Sequence, residues 1–263
     1  MQLFFDHIAG KTHNFEVIYS PASAIFEADE FDFALQNGWL ITPTWYSEDC
    51  DWFNTCKAEG IPVWYQSRTV RLDPKKYVQK KRHRQRLNKD HNLSYKVHTE
   101  YDVEAMVGIY KRYLGAKGFI DMYGENHPFS KSDYGTERMI IVFSYADEPV
   151  AFSLLDIVGK SAVATQFCWD YKDPNLSIGK LSYYVEQQVA KNAGLDYIYL
   201  GASYEKSAIS KCNYAGFQWW NGRGWSSNKA SYQKLCARES EITTLQELAA
   251  MQSEYFRQKM DTK

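Results

Sequence analysis

The stretch from residue 161 to residue 200 changes from a strand pattern to a helix pattern and back, which restricts the folds open to the chain. Residues 161–169 alternate in polarity, as in a half-buried strand. After Ser177, a good helix N-cap, apolar residues recur at three- and four-residue spacing until Gly194, a typical C-terminal stop. Residues 196–200 return to a strand pattern. A strand whose following loop opens a helix offers a site for an anionic or carbonyl-bearing ligand, because the helix N-terminus presents unbonded N–H groups.

Further elements are predicted along the rest of the chain. Thr99 and Asp102 indicate a capping box at the start of an amphipathic helix. Asp73-Pro74 indicates another helix start, with Asp as N-cap and Pro in the first turn. Predicted helices cover residues 30–37, 74–88, 99–116 and 242–260, and predicted strands cover 39–45, 139–144, 150–158 and 161–169, with turns at 147–149 and 159–160.

Short motifs in the second half of the chain resemble those of the arginyl- and leucyl-tRNA–protein transferases. In that family an aromatic–Asp pair stands seven residues ahead of a Ser-Leu-Gly motif, and here Asp170, after Trp169, stands seven residues ahead of Ser177-Ile178-Gly179. The next strand ends in Tyr199-Leu200-Gly201, which is similar to the family's Tyr-Leu-Gly. The residues that match the family's later Lys, Tyr and Phe are Lys211, Tyr214 and Phe217.

The resemblance implies an α+β, GNAT-like acyltransferase fold with two GNAT-like modules, each a mixed, mainly antiparallel sheet flanked by helices. It assigns residues 1–98 to an N-terminal module that ends in a basic helix over residues 74–88. Residues 99–263 become the catalytic module with a C-terminal helix. The implied reaction transfers an arginyl or leucyl group from aminoacyl-tRNA to the free α-amine of a protein or peptide. Aminoacyl-tRNA is then the co-substrate, and no other cofactor or metal is expected.

The same resemblance suggests which residues form the site. Asp170 orients or deprotonates the attacking amine, and the alternative is an ordinary turn-capping Asp. Arg68 and Arg71 are candidates for binding an acidic acceptor residue, because a guanidinium binds a carboxylate bidentately. The remaining implied site residues are Lys211 and Tyr214 as catalytic residues, and Ser177, Ile178, Gly179 and Gly201 as the donor-site loop. A free α-amine attacks an activated ester with little assistance, and no Ser-His-Asp or Cys-His spacing is present.

Positive charge is concentrated in one short segment. Residues 71–91 carry nine Lys/Arg against two Asp, a local charge of +7 in a chain whose net charge is −1. This density suits a polyphosphate, since each cation can neutralise a phosphate and release counterions. The alternative is a solvated surface helix. The resemblance makes tRNA the expected partner, and the proposed contacts are Lys75, Lys76, Lys80, Lys81, Arg82, Arg84 and Arg86.

Composition indicates a globular protein without a membrane-spanning segment. Hydrophobic residues make up 44% of the chain, yet no stretch approaches 18 consecutive apolar residues. The N-terminus shows no secretion signal, and the five scattered cysteines suit a reducing compartment, so a cytoplasmic monomer is expected. The family's CxxCxxC cluster keeps only Cys50 and Cys56 here, with Phe53 between them. Two soft ligands are too few for a metal or iron–sulfur site.

Two other functions remain open at this point. A CoA-dependent GNAT N-acetyltransferase would hold its donor with a Q/R-x-x-G-x-G/A loop, of which only Gly179 is present here. A non-catalytic tRNA-binding module would need the basic segment alone. The aromatic residues Phe217, Trp219, Trp220 and Trp225 could line an acyl pocket, stack the terminal adenine of a tRNA, or form an ordinary core.

Overall fold

The structure is a computed structural model of the chain. It describes residues 2–5, 8–12, 15–19, 22–41, 55–56, 58–66, 68–81, 93–119, 121, 124–125, 127–172, 178–201 and 206–239. The predicted helix over residues 242–260 and the residues Cys50, Arg82, Arg84, Arg86 and Ser177 lie outside this part of the chain.

The N-terminal residues form a small sheet with a short helix. The strands are β1 (Gln2–Phe5), β2 (Ile8–Thr12), β3 (Phe15–Tyr19), β4 (Ala22–Ile25), β5 (Trp39–Ile41) and β6 (Val63–Gln66). They are arranged as a four-stranded sheet in the order β1-β4-β6-β5 and a separate β2-β3 hairpin. A 3-10 turn, Ala28–Glu30, leads into helix α1 (Phe31–Gln36), close to the predicted helix over 30–37. That this region is a second GNAT-like module stays a prediction.

An eight-stranded sheet forms the larger part of the molecule. Its strands are β7 (Val70–Leu72), β8 (Leu93–His98), β9 (Arg138–Tyr145), β10 (Glu148–Val158), β11 (Ser161–Trp169), β12 (Tyr197–Tyr199), β13 (Phe217–Trp220) and β14 (Trp225–Ser226). The order is β14-β13-β7-β12-β11-β10-β9-β8, and its neighbours are antiparallel except for the parallel pair β11 and β12. The predicted division of the chain at residue 98 stays a prediction, although β7 and β8 both belong to this sheet.

Helices cover both faces of this sheet. Helix α2 (Val103–Lys117) packs on Ile140, Val142 and Phe152, whereas helix α3 (Ile178–Asn192) packs on the alternate residues Ile141 and Phe143. Because successive side chains of a strand point to opposite faces, the two helices lie on opposite sides of the sheet. The predicted α+β class, with a mixed and mainly antiparallel sheet flanked by helices, is confirmed. Among the described helices, none combines the length and apolar character that crossing a bilayer requires.

Local signals account for several element boundaries. Asp102 caps α2 by accepting hydrogen bonds from Glu104 N (2.9 Å) and Ala105 N (3.4 Å), so the helix starts four residues later than predicted. The β9–β10 turn consists of Ala146 and Asp147, both at positive φ (49° and 66°), as a two-residue hairpin turn requires. The turn predicted at residues 147–149 is therefore one residue too late.

The predicted basic helix is wrong over the residues that the structure describes before position 81. Asp73 accepts a hydrogen bond from Lys75 N at 3.0 Å, as expected of an N-cap, but the element that follows is only a 3-10 turn, Pro74–Lys76. Residues 77–80 are not helical. Lysines without an anion four residues away repel one another along a helix, and here Lys75 pairs instead with Asp196, which precedes β12.

Helix α4 (Lys229–Glu239) was not predicted from the sequence. Asn228 caps it by accepting a hydrogen bond from Ser231 N at 3.1 Å. Its buried side chains, Tyr232 and Cys236, lie four residues apart and join the core of the large sheet. An Asn N-cap followed by two apolar residues one turn apart is the signal in the sequence, and it is weak because most of the remaining side chains are polar.

A buried ion pair fastens β9 to β10. The guanidinium of Arg138 donates to both carboxylate oxygens of Asp156, at 2.5 and 3.0 Å, and to the carbonyl of Phe129 at 3.1 Å. The Asp156 carboxylate also accepts from the backbone N–H of Asp133 at 2.9 Å. The loop that these bonds hold carries Tyr134, whose ring packs on Trp64 of the N-terminal sheet (5.4 Å between centroids). The pair thus supports the contact between the two sheets.

We expect Asp156→Asn to lower the free energy of unfolding by about 3–5 kcal/mol, because it leaves the buried guanidinium of Arg138 without its counter-charge. Asp133→Asn is the matched control, since its carboxylate is 45% exposed and lies 3.9 Å from Arg138; its cost should stay below about 1 kcal/mol. Urea unfolding of the two variants measures both. Equal reductions in the free energy of unfolding would show that the buried pair of Arg138 and Asp156 stabilises the fold no more than the exposed contact of Asp133.

Candidate active site

Strands β11 and β12 pair at one end only. Their parallel register covers residues 161–163 of β11 and Tyr197–Tyr199 of β12. β11 continues for six more residues to Trp169, roughly 20 Å of strand. Residues 164–167 are half-buried, although the strand lies inside an eight-stranded sheet. In the described part of the chain, the second half of β11 therefore borders an opening beside the end of β12, which we call the strand opening.

A bulge shapes the wall of the strand opening. The register between β10 and β11 shifts at Leu154/Leu155, where Gln166 and Ala164 are the partners and Thr165 is the extra residue. A bulge removes one residue from the ladder and redirects its neighbours, and bulges are frequent beside active sites. The Thr165 hydroxyl donates to the Leu154 carbonyl at 3.5 Å. This part of β11 can thus present backbone groups that the ladder does not use.

The start of helix α3 closes one side of the strand opening. Gly179 lies so close to the end of β11 that a Cβ added there would be 3.5 Å from Trp169 Nε1 and 3.8 Å from Phe167 Cε1. Ile178, the first residue of the helix, is fully buried. The first-turn N–H groups of a helix have no intrahelical partner and carry partial positive charge. Of the predicted donor-site loop, Ile178 and Gly179 are therefore at the strand opening, whereas Ser177 lies outside the described residues.

Asp170 directly follows β11 and is 4% exposed. Its Oδ2 accepts a hydrogen bond from Arg112 Nε of α2 at 2.8 Å, and Lys172 Nζ lies 3.3 Å away. Its Oδ1 accepts from the backbone N–H of Lys172 at 3.2 Å. The carboxylate thus caps a turn and neutralises two cations, as the structural alternative expects. It also stands at the mouth of the strand opening, so its catalytic role stays a prediction.

Lys211 and Gly201 meet at the end of β12. Lys211 Nζ donates to the carbonyl of Leu200 at 2.8 Å, and the carbonyl of Gly201 accepts from Val70 N at 3.1 Å. Gly201 has a φ of 78°, which favours glycine. Tyr214 does not take part in this contact; its ring packs on that of Tyr183 of α3, with the ring centroids 4.4 Å apart. Burial raises the pKa of its hydroxyl, which makes it a poor proton donor.

The two predicted acceptor-binding arginines differ in burial: the side chain of Arg71 is buried and that of Arg68 is half-buried. The Arg71 guanidinium lies between the rings of Tyr197 (3.7 Å to the centroid) and Trp225 (3.9 Å), and its Nε donates to Gln218 Oε1 at 2.8 Å. Arg68 is half-buried, and its Nη1 lies 3.8 Å from the sulfur of Cys236. Arg71 is 7% exposed. Its acceptor role stays a prediction, and its contacts are those of a residue that joins strands.

The start of the basic segment is anchored beside helix α3. Tyr77 is buried and its ring stacks on Tyr184 (6.3 Å between centroids), while Lys191 Nζ donates to the Tyr77 carbonyl at 2.8 Å. Lys75 pairs with Asp196, and this hydrogen bond raises the pKa of the Lys75 ammonium. The side chains of Lys75, Lys76, Lys80 and Lys81 are exposed. The segment therefore presents its lysines to solvent from a fixed base.

Glu186, a buried acid of helix α3, belongs to none of the motifs in the sequence. It lies on the sheet-facing side of α3 and is 2% exposed. Its Oε1 accepts a hydrogen bond from Ser153 Oγ of β10 at 2.8 Å. Burial raises the pKa of this carboxyl from 4.5 to about 7, while the Ser153 bond lowers it. The signal in the sequence is weak: an acidic residue directly after Val185, in a buried helix face that also contains Ser182 and Gln187.

The sequence matches one protein family over more than half of its length. Residues 75–216 match the model described as "Arginine-tRNA-protein transferase, C terminus". The match begins in the 3-10 turn of the basic segment and ends before β13, so it includes the strand opening, α2 and α3. No curated protein matches the sequence.

Solved structures show only a distant likeness. The chain is 13% identical to L-PGS from Bacillus licheniformis, covering 66% of this chain and 52% of that one at a TM-score of 0.42. It is 9% identical to FemX, covering 76% and 80% at a TM-score of 0.39. It is 14% identical to a GCN5-related N-acetyltransferase from Kribbella flavida, covering 51% and 47% at 0.35. The chain thus spans about half the length of the first and third of these proteins, and similarity at this level does not bear on function.

We expect the stability of the wild type to fall relative to Glu186→Gln as the pH rises from about 4.5 to about 7. In that window the folded state holds the Glu186 proton more tightly than the unfolded state. Raising the pH therefore lowers the free energy of unfolding of the wild type by up to roughly 3 kcal/mol, whereas the glutamine variant has no such loss. Urea unfolding of both proteins between pH 4.5 and 8 gives the difference. Glu104→Gln, an exposed acid on α2, should show no such trend. A difference independent of pH would contradict the burial effect.

Proposed function

Because the chain belongs to the arginine-tRNA–protein transferase family through residues 75–216, we propose that it transfers an arginyl or leucyl group from aminoacyl-tRNA to the free α-amine of a protein or peptide. The main support for this proposal is that the matched segment, continuous in the sequence, contains both the exposed lysines of the basic segment and the strand opening. The lysines suit a polyphosphate, and the opening beside β11 suits an acyl group.

The reaction needs positioning more than a nucleophile from the protein. The α-amine nitrogen attacks the ester carbonyl, a C–N bond forms, and the C–O bond to the ribose breaks. The amine loses a proton, and the ribose oxygen leaves as a hydroxyl after accepting one. An α-amine with a pKa near 8 is partly neutral at pH 7, so holding it against the ester provides much of the acceleration.

Two groups at the strand opening have roles in this scheme. In this scheme the N–H groups of the first turn of α3, which have no partner within the helix, stabilise the oxyanion that develops on the ester carbonyl. Asp170 orients the attacking amine or accepts its proton, with Arg112 fixing the carboxylate. Lys211 holds the end of β12 through the Leu200 carbonyl and so maintains the opposite side of the opening. Tyr214 supports α3, and Arg68 is the better placed of the two arginines to meet an acidic acceptor because it is half-buried.

The lysines and arginines of the basic segment bind the tRNA phosphates in this proposal. The base of the segment is fixed by Tyr77 and by the Lys75–Asp196 pair, so Lys76, Lys80 and Lys81 project from a defined position near α3. Arg82, Arg84 and Arg86 continue the same charge. A protein acceptor and the tRNA then meet at the strand opening.

The proposal predicts that the full chain transfers a labelled arginyl or leucyl group from charged tRNA to an α-amine acceptor peptide, and that acetyl-CoA does not replace the tRNA. Asp170→Asn should slow the single-turnover step by roughly 10²–10⁴, the usual contribution of a positioned base. Binding of tRNA should remain. Arg112→Gln is the matched control: it breaks the same ion pair and leaves the carboxylate, so it should cost far less.

Three results would contradict this scheme. Acetyl transfer without tRNA would favour the CoA-dependent reaction. Tight tRNA binding with no transfer of any aminoacyl group would leave a binding module. Equal loss of rate and stability in Asp170→Asn and Arg112→Gln would make Asp170 a structural residue only.

A separate prediction concerns the lysines. Replacing Lys76, Lys80 and Lys81 with Gln should weaken tRNA binding and reduce the slope of log affinity against log salt by about 0.7–0.9 for each lost phosphate contact. The charge-matched control replaces exposed lysines elsewhere: Lys111, Lys131 and Lys229. Fluorescence anisotropy across a series of salt concentrations gives both slopes. An unchanged slope in the first variant would mean that these lysines are only solvated.

A further inference from the structure

Glu186 is a buried acid whose charge the surrounding protein does not balance. Its carboxyl faces Ser153 of β10, and its electrostatic neighbours are the hydroxyls of Tyr183 on α3 and Tyr214 after the 3-10 turn Lys206–Asn213. Within the described residues no lysine, arginine or histidine contacts it, and no group donates to its second oxygen. An ionised carboxylate in such a place is costly until a cation arrives.

The position of Glu186 relates it to the strand opening. Ser153, which donates to it, lies directly opposite Phe167 of β11. Phe167 belongs to the part of β11 that extends beyond β12, and its ring lies next to Gly179 at the start of α3. The carboxyl is therefore beneath the side of the opening that α3 lines, two helical turns from Gly179.

The aromatic rings beside Glu186 favour one kind of cation. The ring centroids of Tyr183 and Tyr214 lie 4.4 Å apart, and the ring centroid of Tyr184 lies 5.7 Å from that of Tyr214. A planar guanidinium stacks on aromatic rings and binds a carboxylate through two parallel N–H bonds, whereas an ammonium does neither as well. The chain already holds one guanidinium by stacking, because Arg71 lies between the rings of Tyr197 and Trp225.

We propose that the carboxylate of Glu186 binds the guanidinium of an arginyl donor, beside the rings of Tyr183 and Tyr214, and so selects arginyl over leucyl. This inference rests on the proposed function and makes it more specific. A leucyl side chain would leave the carboxyl without a partner, and an arginyl side chain would supply the missing charge. Arginyl binding would then ionise Glu186 and release its proton.

The test uses the full chain and stable donor analogues that carry an aminoacyl group in amide linkage on a 3′-amino-3′-deoxyadenosine. Arginyl and citrullyl analogues are compared by calorimetry, because citrulline has nearly the shape of arginine without its charge. The arginyl analogue should bind about 10- to 100-fold more tightly, the usual difference for a charge-assisted hydrogen-bonded pair. At pH 6 its binding should release about one proton more than citrullyl binding, seen as a dependence of the heat on the buffer. At pH 8.5 this excess should vanish.

Variants separate a binding role from a structural one. Glu186→Gln can keep the Ser153 hydrogen bond, and it should abolish both the preference for arginyl and the excess proton release. Glu104→Gln, which removes an exposed acid from α2, should keep both. Circular dichroism of Glu186→Gln confirms that it is folded, and the comparison of the two analogues on the wild type needs no variant.

The outcomes distinguish this inference from the proposed function. Equal affinity of the wild type for arginyl and citrullyl, or tightest binding of a leucyl analogue, would overturn the role of Glu186 while transfer from charged tRNA still stood. Failure of every analogue to bind, together with no transfer from any aminoacyl-tRNA, would overturn both. If Glu186→Gln still binds the arginyl analogue more tightly than the citrullyl analogue, another residue selects the donor and the inference is wrong.

Discussion

The three residues of β7 connect the parts of this molecule. Leu72 pairs with Ile198 of β12 on one side and with Phe217 of β13 on the other, so a strand from the N-terminal third of the chain lies inside the large sheet. Asp73 N donates to the Gly216 carbonyl at 3.0 Å, and a Cβ on Gly216 would come within 2.3 Å of the Asp73 carbonyl oxygen. Only glycine permits this approach. The basic segment starts at this point, and its location beside α3 follows from the pairing of β7.

The two faces of β7 perform different tasks. Val70 and Leu72 are fully buried in the core under α3, whereas Arg71 points the other way and lies between Tyr197 and Trp225. The same alternation separates the two acids near the strand opening. Asp170 contacts α2, and Glu186 lies under α3, on the opposite face. In the proposed reaction, Asp170 would act on the amine from one face of the sheet, and Glu186 would bind the donor side chain from the other face.

Local patterns in the sequence were sufficient for the central elements. The strands β9 to β11 and helix α3 follow alternation and helical spacing that nothing overrides. The prediction of a helix was wrong for residues 74–80, because helix-start chemistry at Asp73-Pro74 is local. The stacking of Tyr77 on Tyr184 and the Lys75–Asp196 pair join residues more than a hundred positions apart. The insertion of β7 is equally non-local, and three residues carry no pattern that identifies their neighbours.

The candidate site was harder to predict than the fold. Motif order indicated the region around Asp170, Gly179 and Gly201, and the structure brings the last two to the strand opening. The order of the motifs could not indicate that Asp170 pairs with Arg112, because α2 and β11 come together only in the folded chain. Glu186 had no motif at all. In the described part of the chain no cation contacts its carboxyl, and this matters only after folding has removed the water around it.

Two buried acids of this protein, Asp156 and Glu186, differ in the groups that neutralise them. Asp156 is fully buried and receives two hydrogen bonds from a guanidinium and one from a backbone N–H. Glu186 is 2% exposed, and among the described residues its carboxyl accepts from one hydroxyl, that of Ser153. Packing alone would be served as well by glutamine or leucine, which carry no ionisation cost at this position. The guanidinium of the proposed arginyl donor would supply the counter-charge that the described residues do not provide.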